Sequence, residues 1–482
     1  MNHSPATWVG RLPGADGVIT LTSPTVHEGV FTFDVPGVGR FDQTLHRVLP
    51  FSPEDFRARI GEYTDGDITI VVTMHADDTT GAPFPFYADV EHGALVPLYP
   101  IAPDRMMSQQ GEDLVFGDET VTLSVDGCEA SLFRSPRIVT EEVSFPVSGS
   151  NAVLSGTLLR PIGTDPVPAV AMAHGAAAHQ RDYYRIFAHA IVRSGFAVLM
   201  FDRQGYGSST GEPDTSLRGN AAGLEAALDF LTSREDIGPV GLWGFSNGMW
   251  TVPLVTARRP DVAFVAGVSA PGVSAVDSEV HRRTTALRQA GVAESAVDLA
   301  ARTWQTLLGA GAGETVPAAR IKKLDGWLAK LRDDESVQSF RSPGYAVSAP
   351  HLSPMPPLDT PGEALVKELS ADPDPGMSYD PVNSYREIGC PVLLQYGPLD
   401  LNLPAERSAE RITAALRDGG NEELTVHSYP GAGHLLETVN EDVEGRTYEE
   451  VSYGFHRFRF ASGAVADQAA WFARIAESLT NG

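Results

Sequence analysis

Gly238-Pro-Val-Gly-Leu-Trp-Gly-Phe-Ser-Asn-Gly-Met-Trp250 is the stretch whose reading decides the fold. Gly238 to Trp243 is a short apolar run that reads as a buried strand. Met249 to Ala257 reads as a helix that stops near Arg258-Arg259-Pro260. Between them, Gly244-Phe245-Ser246-Asn247-Gly248 is a G-x-S-x-G turn, and strand, turn, helix is the context of a nucleophile elbow. So sharp a turn has no room for bulk on either side of the serine, which accounts for both glycines. It places the Ser246 hydroxyl above the sheet edge, at a helix N-terminus whose dipole favours developing negative charge.

The flanking sequence extends the same grammar. Glu141–Val147 and Ala152–Leu159, joined by Ser-Gly-Ser-Asn, read as an antiparallel hairpin. Pro168–Ala173, Phe196–Phe201, Val262–Val268, Pro391–Tyr396 and Glu423–His427 are short apolar strands. Helices fall between them, one over Asp182–Ser194 and one carrying Leu217, Ala221, Leu224, Leu228 and Leu231 on a single face. Wholly apolar strands alternating with amphipathic helices predict an α/β fold, a mostly parallel sheet covered by helices on both faces. This domain is expected over 138–273 and 386–482. The interruption at 274–385 is predicted to be a cap or lid, helical in its first part and rich in Pro, Ser and Asp in its second. Residues 1–137 carry short alternating runs, such as Gly29–Asp34 and Glu119–Val125, and predict a separate all-β domain.

Composition narrows the partners. Sixty-two acids against 36 lysines and arginines give a net charge of −26, a field that repels phosphate backbones and anionic membranes. No nucleic acid and no membrane partner is expected, while self-association into a homo-oligomer stays open. The chain has no apolar run long enough to span a bilayer, and its N-terminus lacks the features of a secretory signal. With Cys128 and Cys390 in different predicted domains, a reduced, cytoplasmic protein is expected. There is no H-E-x-x-H, paired C-x-x-C or P-loop, so neither a metal nor a cofactor is expected.

A nucleophilic serine needs a base to take its proton, an acid to orient the base, and donors for the oxyanion. In this topology the order is serine, acid, histidine, each just after a strand. Asp400 follows Pro391–Tyr396 and meets the acid's requirement. His434 follows Glu423–His427 through Ser-Tyr-Pro-Gly-Ala-Gly and meets the base's. Backbone N–H groups suit the oxyanion because they are fixed before reaction. The candidates are Asn247, next to the nucleophile, and Ala176, in the loop after Pro168–Ala173. His174 reads as a hydrogen-bonder holding that loop, His179 as similarly bland, and His427 as structural. Asp202 and Arg203 read as ties for the glycine-rich loop Phe201–Gly211.

His174-Gly175, Asp202-Arg203-Gln204-Gly205-Tyr206-Gly207-Ser208, Gly244–Gly248, Asp400 and Pro430-Gly-Ala-Gly-His434 together resemble the α/β-hydrolase superfamily over about 138–480. Within it the chain is most similar to bacterial esterases related to the dienelactone hydrolase and acyl-peptidase branches. Its β domain also resembles the acyl-CoA thioesterase and bile-acid acyltransferase group, more weakly. Acyltransferase members of that group carry a cysteine nucleophile, where this chain has Ser246. The resemblance implies a serine hydrolase acting on a small carboxylic ester or thioester through an acyl-enzyme. Two alternatives are acyl transfer to an amine or alcohol, and a hydrolase fold used only for ligand binding.

Overall fold

The computed structural model describes residues 5–9, 18–22, 28–35, 39–76, 83–90, 93–109, 111–125, 127–163, 166–176, 181–337, 353–438 and 458–481. Its central sheet has eight strands: Ile138–Pro146, Val153–Pro161, Val167–Ala173, Ala197–Phe201, Ile237–Phe245, Val265–Val268, Val392–Tyr396 and Leu424–Ser428. Counted along the chain, they lie side by side in the order 1-2-4-3-5-6-7-8. The first two form the predicted hairpin, the second runs antiparallel to the fourth, and every later pairing is parallel.

The strands are apolar throughout because alternate residues feed two different cores. Ala169, Ala171, Leu199 and Leu242 face the helices Leu217–Thr232, Gly248–Thr256 and Ala405–Asp418. Their neighbours Val170, Met172, Val198 and Trp243 face the helices Arg185–Arg193 and Ala464–Asn481. This is the α/β-hydrolase fold.

Helices Ala275–Gln289, Glu294–Gly311, Ala318–Asp333 and Gly362–Leu369 leave the sheet between its sixth and seventh strands. Ser274 starts the first of them, its hydroxyl accepting from the Asp277 N–H. Leu287, Val297, Leu307, Leu324, Leu328 and Leu365 form a core of their own there. Part of the proline-rich stretch expected in the cap, 338–352, lies outside the described residues.

The N-terminal region is mostly β and not all β as expected: a one-turn helix, Pro53–Phe56, opened by a Ser52 cap and continued by a 3-10 turn at Arg57–Arg59, interrupts its strands. Four strands between Pro5 and Arg47 form one antiparallel sheet. A larger antiparallel sheet of eleven strands contains Gly61–Thr64, Thr69–Ala76, Pro83–Asp89, Ala94–Pro97 and the strands between Tyr99 and Arg134. Its last two strands come from the far end of the chain: Phe458–Phe460 pairs with Ala94–Leu95, and Glu437–Thr438 pairs with Phe458–Phe460. Sequence periodicity gave no sign of this joint, because strands of two or three residues carry no legible alternation.

One face of the large sheet packs on the central domain: Val71, Phe86, Ala88 and Leu95 share a core with Phe187, Phe245 and Phe460. Inside this contact, His189 Nδ1 lies 3.2 Å from Glu62 Oε2. Burial holds the His189 imidazole below its ordinary value, with the Glu62 hydrogen bond and charge pulling the other way. Burial alone would raise the Glu62 carboxyl, but contacts with His189, Arg193 and Ser135 bring it below its usual range. Both shifts have the same consequence. The unfolded chain takes up these protons first, so stability present above pH 6.5 is lost as pH falls. His189→Gln is expected to flatten the fall in melting temperature between about pH 7 and 5.5. Scanning calorimetry across that range checks it, and an unchanged slope would contradict it.

Candidate active site

The elbow has the geometry its glycines demand. Ser246 has φ 50°, a left-handed conformation that costs a non-glycine residue about 1–2 kcal/mol. The Ser246 N–H is anchored to the Val268 carbonyl of the next strand at 3.0 Å. A Cβ on Gly248 would lie 2.7 Å from the Ala173 carbonyl oxygen, so the helix N-terminus meets the neighbouring strand backbone to backbone.

The structure brings Ser246, His434 and Asp400 together. His434 Nε2 is 2.8 Å from Ser246 Oγ, and His434 Nδ1 is 2.7 Å from Asp400 Oδ2. Asp400 sits after the seventh strand with its carboxylate fully buried. Its other oxygen, Oδ1, accepts from the Asn402 and Leu403 N–H groups at 2.8 and 3.1 Å. That carboxylate is fixed before the imidazole arrives. Phe245 lies against the imidazole, its ring centre 5.0 Å away.

The candidate oxyanion donors flank the serine from two elements. Asn247 opens the helix Gly248–Thr256, and Ala176 stands exposed beyond the third strand. Among the described residues neither backbone N–H has a protein acceptor. The Gly175 N–H does have one, the Tyr184 hydroxyl at 2.6 Å, which leaves Ala176 as the next donor along the loop. A Cβ on Gly175 would lie 2.9 Å from the Phe245 ring, so glycine is needed for this approach.

His174 is buried and hydrogen-bonds through Nε2 to the Phe201 carbonyl, holding its loop to the adjacent strand. Asp202 is fully buried and accepts from the Arg181 and Ser208 N–H groups. His427 stacks on Tyr429 and lies 3.9 Å from Asp467, within its own strand. His179 lies outside the described residues.

Two supports were not read from the sequence. Ser269, buried with φ 51°, donates its hydroxyl to the His434 carbonyl at 2.5 Å. A serine directly after an apolar strand, at the edge where Ser246, Asp400 and His434 collect, was the available signal. Glu437 accepts from the Leu435 N–H through Oε2 at 2.6 Å, and its signal is weaker. The helix Ala275–Gln289 reaches the same loops: Ser278 donates its hydroxyl to the Asn402 carbonyl at 3.0 Å.

Among the described residues no group of three or more His, Cys, Asp or Glu side chains is placed to hold a metal. No described helix is long and apolar enough to cross a membrane. Cys128 and Cys390 are both free thiols.

Residues 164–339 match the family model for serine aminopeptidases of family S33, and residues 370–443 match that for the C-terminal domain of BAAT and acyl-CoA thioester hydrolases. A quorum-quenching protein, AidA of Acinetobacter baumannii, is 34% identical over 98 residues, 20% of this chain and 32% of that protein. An uncharacterized protein of Mycobacterium tuberculosis is 34% identical over 100 residues, again 20% of this chain and 34% of its own length. The chain thus spans about a third of the length of the curated relatives it matches. Among solved structures, the Pyrococcus furiosus esterase Pf2001 superposes with a TM-score of 0.40 at 17% identity, covering 71% of this chain and 93% of its own. Sheet order, elbow and matched segments define the class: the chain has the α/β-hydrolase fold. Within it, the matched models are those of serine aminopeptidases and acyl-CoA thioester hydrolases.

Proposed function

We propose that this chain is a serine hydrolase that cleaves a carboxylic ester or thioester through an acyl-enzyme. The observation that carries the reading is the relay from Ser246 Oγ through His434 to the buried Asp400, at 2.8 and 2.7 Å. Asp400 accepts a hydrogen bond from Nδ1–H, keeps the proton on that nitrogen and thereby leaves Nε2 free to accept from the serine hydroxyl. Ser246 Oγ attacks the carbonyl carbon as its proton passes to Nε2. The Asn247 and Ala176 N–H groups hold the oxygen that becomes negative. The imidazolium then returns the proton to the leaving alcohol or thiol, and water attacks the acyl-enzyme by the same route in reverse.

The matched segments support this assignment. One spans Ala176, Ser246 and Asn247, and the other spans Asp400 and His434. The thioester arm rests on the second, whose family description includes acyl-CoA thioester hydrolases. The same description begins with BAAT, which keeps acyl transfer to an amine or alcohol as a second reading.

A panel of p-nitrophenyl esters and acyl-CoA thioesters, run with and without an added amine, tests both readings. Free acid as the product under either condition is the expected result. Amide as the dominant product would favour transfer, and no turnover of either class would overturn the hydrolase reading.

A further inference from the structure

We infer that the N-terminal β region is a positioning element for His434, acting through Glu437 and the strand Phe458–Phe460. The inference rests on the hydrolase reading above and gives the β region a role in that reaction.

The loop that carries His434 is short and strained. Gly431 has φ 79° and Leu436, two residues after the histidine, has φ 63° with its side chain fully buried. Glu437 closes this loop on itself. Its carbonyl accepts from the Gly433 N–H at 2.8 Å and its carboxylate from the Leu435 N–H at 2.6 Å. The residues on either side of His434 are thus tied to one buried side chain and its backbone. Freed from Glu437, the loop has no local reason to hold Leu436 in a left-handed conformation.

Glu437 is itself held from outside. It pairs with Phe460, whose strand pairs in turn with Ala94–Leu95 of the β region. Two further hydrogen bonds complete the link: the Phe460 N–H to the Gly93 carbonyl at 2.8 Å, and the Ala461 N–H to the Leu436 carbonyl at 2.7 Å. Leu436, Phe460 and Ala461 are buried in the same core as Leu95, Phe86 and Val71. The β region therefore ends in a ladder whose last rung is the catalytic loop. A displacement of about 1 Å at the imidazole is enough to cost about 10²-fold in rate.

Three variants test this, with p-nitrophenyl butyrate turnover and its pH profile as readouts. Glu437→Ala removes the Leu435 acceptor, whereas Glu437→Gln keeps an amide oxygen there. Gly93→Val places a Cβ 3.3 Å from the Phe460 Cβ on a residue at φ 62°, which displaces the ladder from the β-region side. Glu437→Ala and Gly93→Val are expected to lower kcat by about 10- to 100-fold at nearly constant KM. The acid limb of kcat/KM should also move to lower pH, because an imidazole drawn away from Asp400 holds its proton less well. Glu437→Gln should recover most of the rate. Arg105→Ala, which breaks the Arg105–Asp113 pair elsewhere in the same sheet, should leave both readouts unchanged.

A merely structural role lowers the active fraction without moving the limb. An unmoved limb in both Glu437→Ala and Gly93→Val would overturn the inference. Movement in Glu437→Ala alone would overturn the part assigned to the β region. A wild-type protein that neither turns over the ester nor reacts with a fluorophosphonate would instead overturn the hydrolase reading beneath it.

Discussion

Ser246→Ala is expected to lower kcat by on the order of 10⁵-fold while leaving the fold and its melting temperature nearly unchanged. The substitution removes one oxygen. It keeps the Cβ and the Ser246 N–H bond to the Val268 carbonyl, so the elbow has no reason to rearrange. What is lost is the atom 2.8 Å from His434 Nε2, the one on which the proposed acyl-enzyme forms. Ser246→Gly makes a second comparison. Glycine relieves about 1–2 kcal/mol of left-handed strain at φ 50° and costs about 0.5–1 kcal/mol in chain entropy. It should be inactive and at least as stable as the alanine variant. Steady-state kinetics with calorimetry on both variants checks the pair, and substantial retained turnover in either would contradict the role of Ser246.

Asp400→Asn is expected to be nearly as damaging, a loss of about 10⁴-fold in kcat, for a reason visible in the hydrogen bonds. Asp400 Oδ1 is committed to two donors, the Asn402 and Leu403 N–H groups. An asparagine must keep its carbonyl oxygen there, and its NH₂ then faces His434 Nδ1. That nitrogen becomes an acceptor, the imidazole proton moves to Nε2, and the base now presents a proton to the serine hydroxyl instead of a lone pair. KM should change little, because no substrate contact is touched. Kinetics across pH, alongside a structure of the variant, checks it. A variant with near wild-type kcat would show that Asp400 does not set the tautomer.

Much of the fold was legible because its signals are local. The apolar strands such as Ala197–Phe201 and Val392–Tyr396 are buried along their whole length, so each reads as an uninterrupted run. The elbow announces itself through two glycines around a serine, and Ser246 does adopt the left-handed conformation they imply. Asp400 and His434 were marked by position, each in a loop just after a strand, and the structure places them in hydrogen-bonding contact. The supports of the histidine were harder to see. Ser269 acts 165 residues away from His434, and no spacing rule connects them. Glu437 lies in a two-residue strand whose partners are Phe460 and, one strand further, Ala94–Leu95. Such contacts depend on which distant backbones meet, and residue type and periodicity do not encode that.

The most direct test of the account is the mass of the intact protein after reaction with a fluorophosphonate, for the wild type, Ser246→Ala and Asp400→Asn. An activated serine forms one covalent bond to phosphorus with loss of fluoride, so one adduct is expected on the wild type. Peptide mapping should place it on Ser246. Ser246→Ala should gain none, and Asp400→Asn should gain its adduct far more slowly. A wild type that stays unmodified, or an adduct on any residue other than Ser246, would contradict the claim that this relay is the catalytic site.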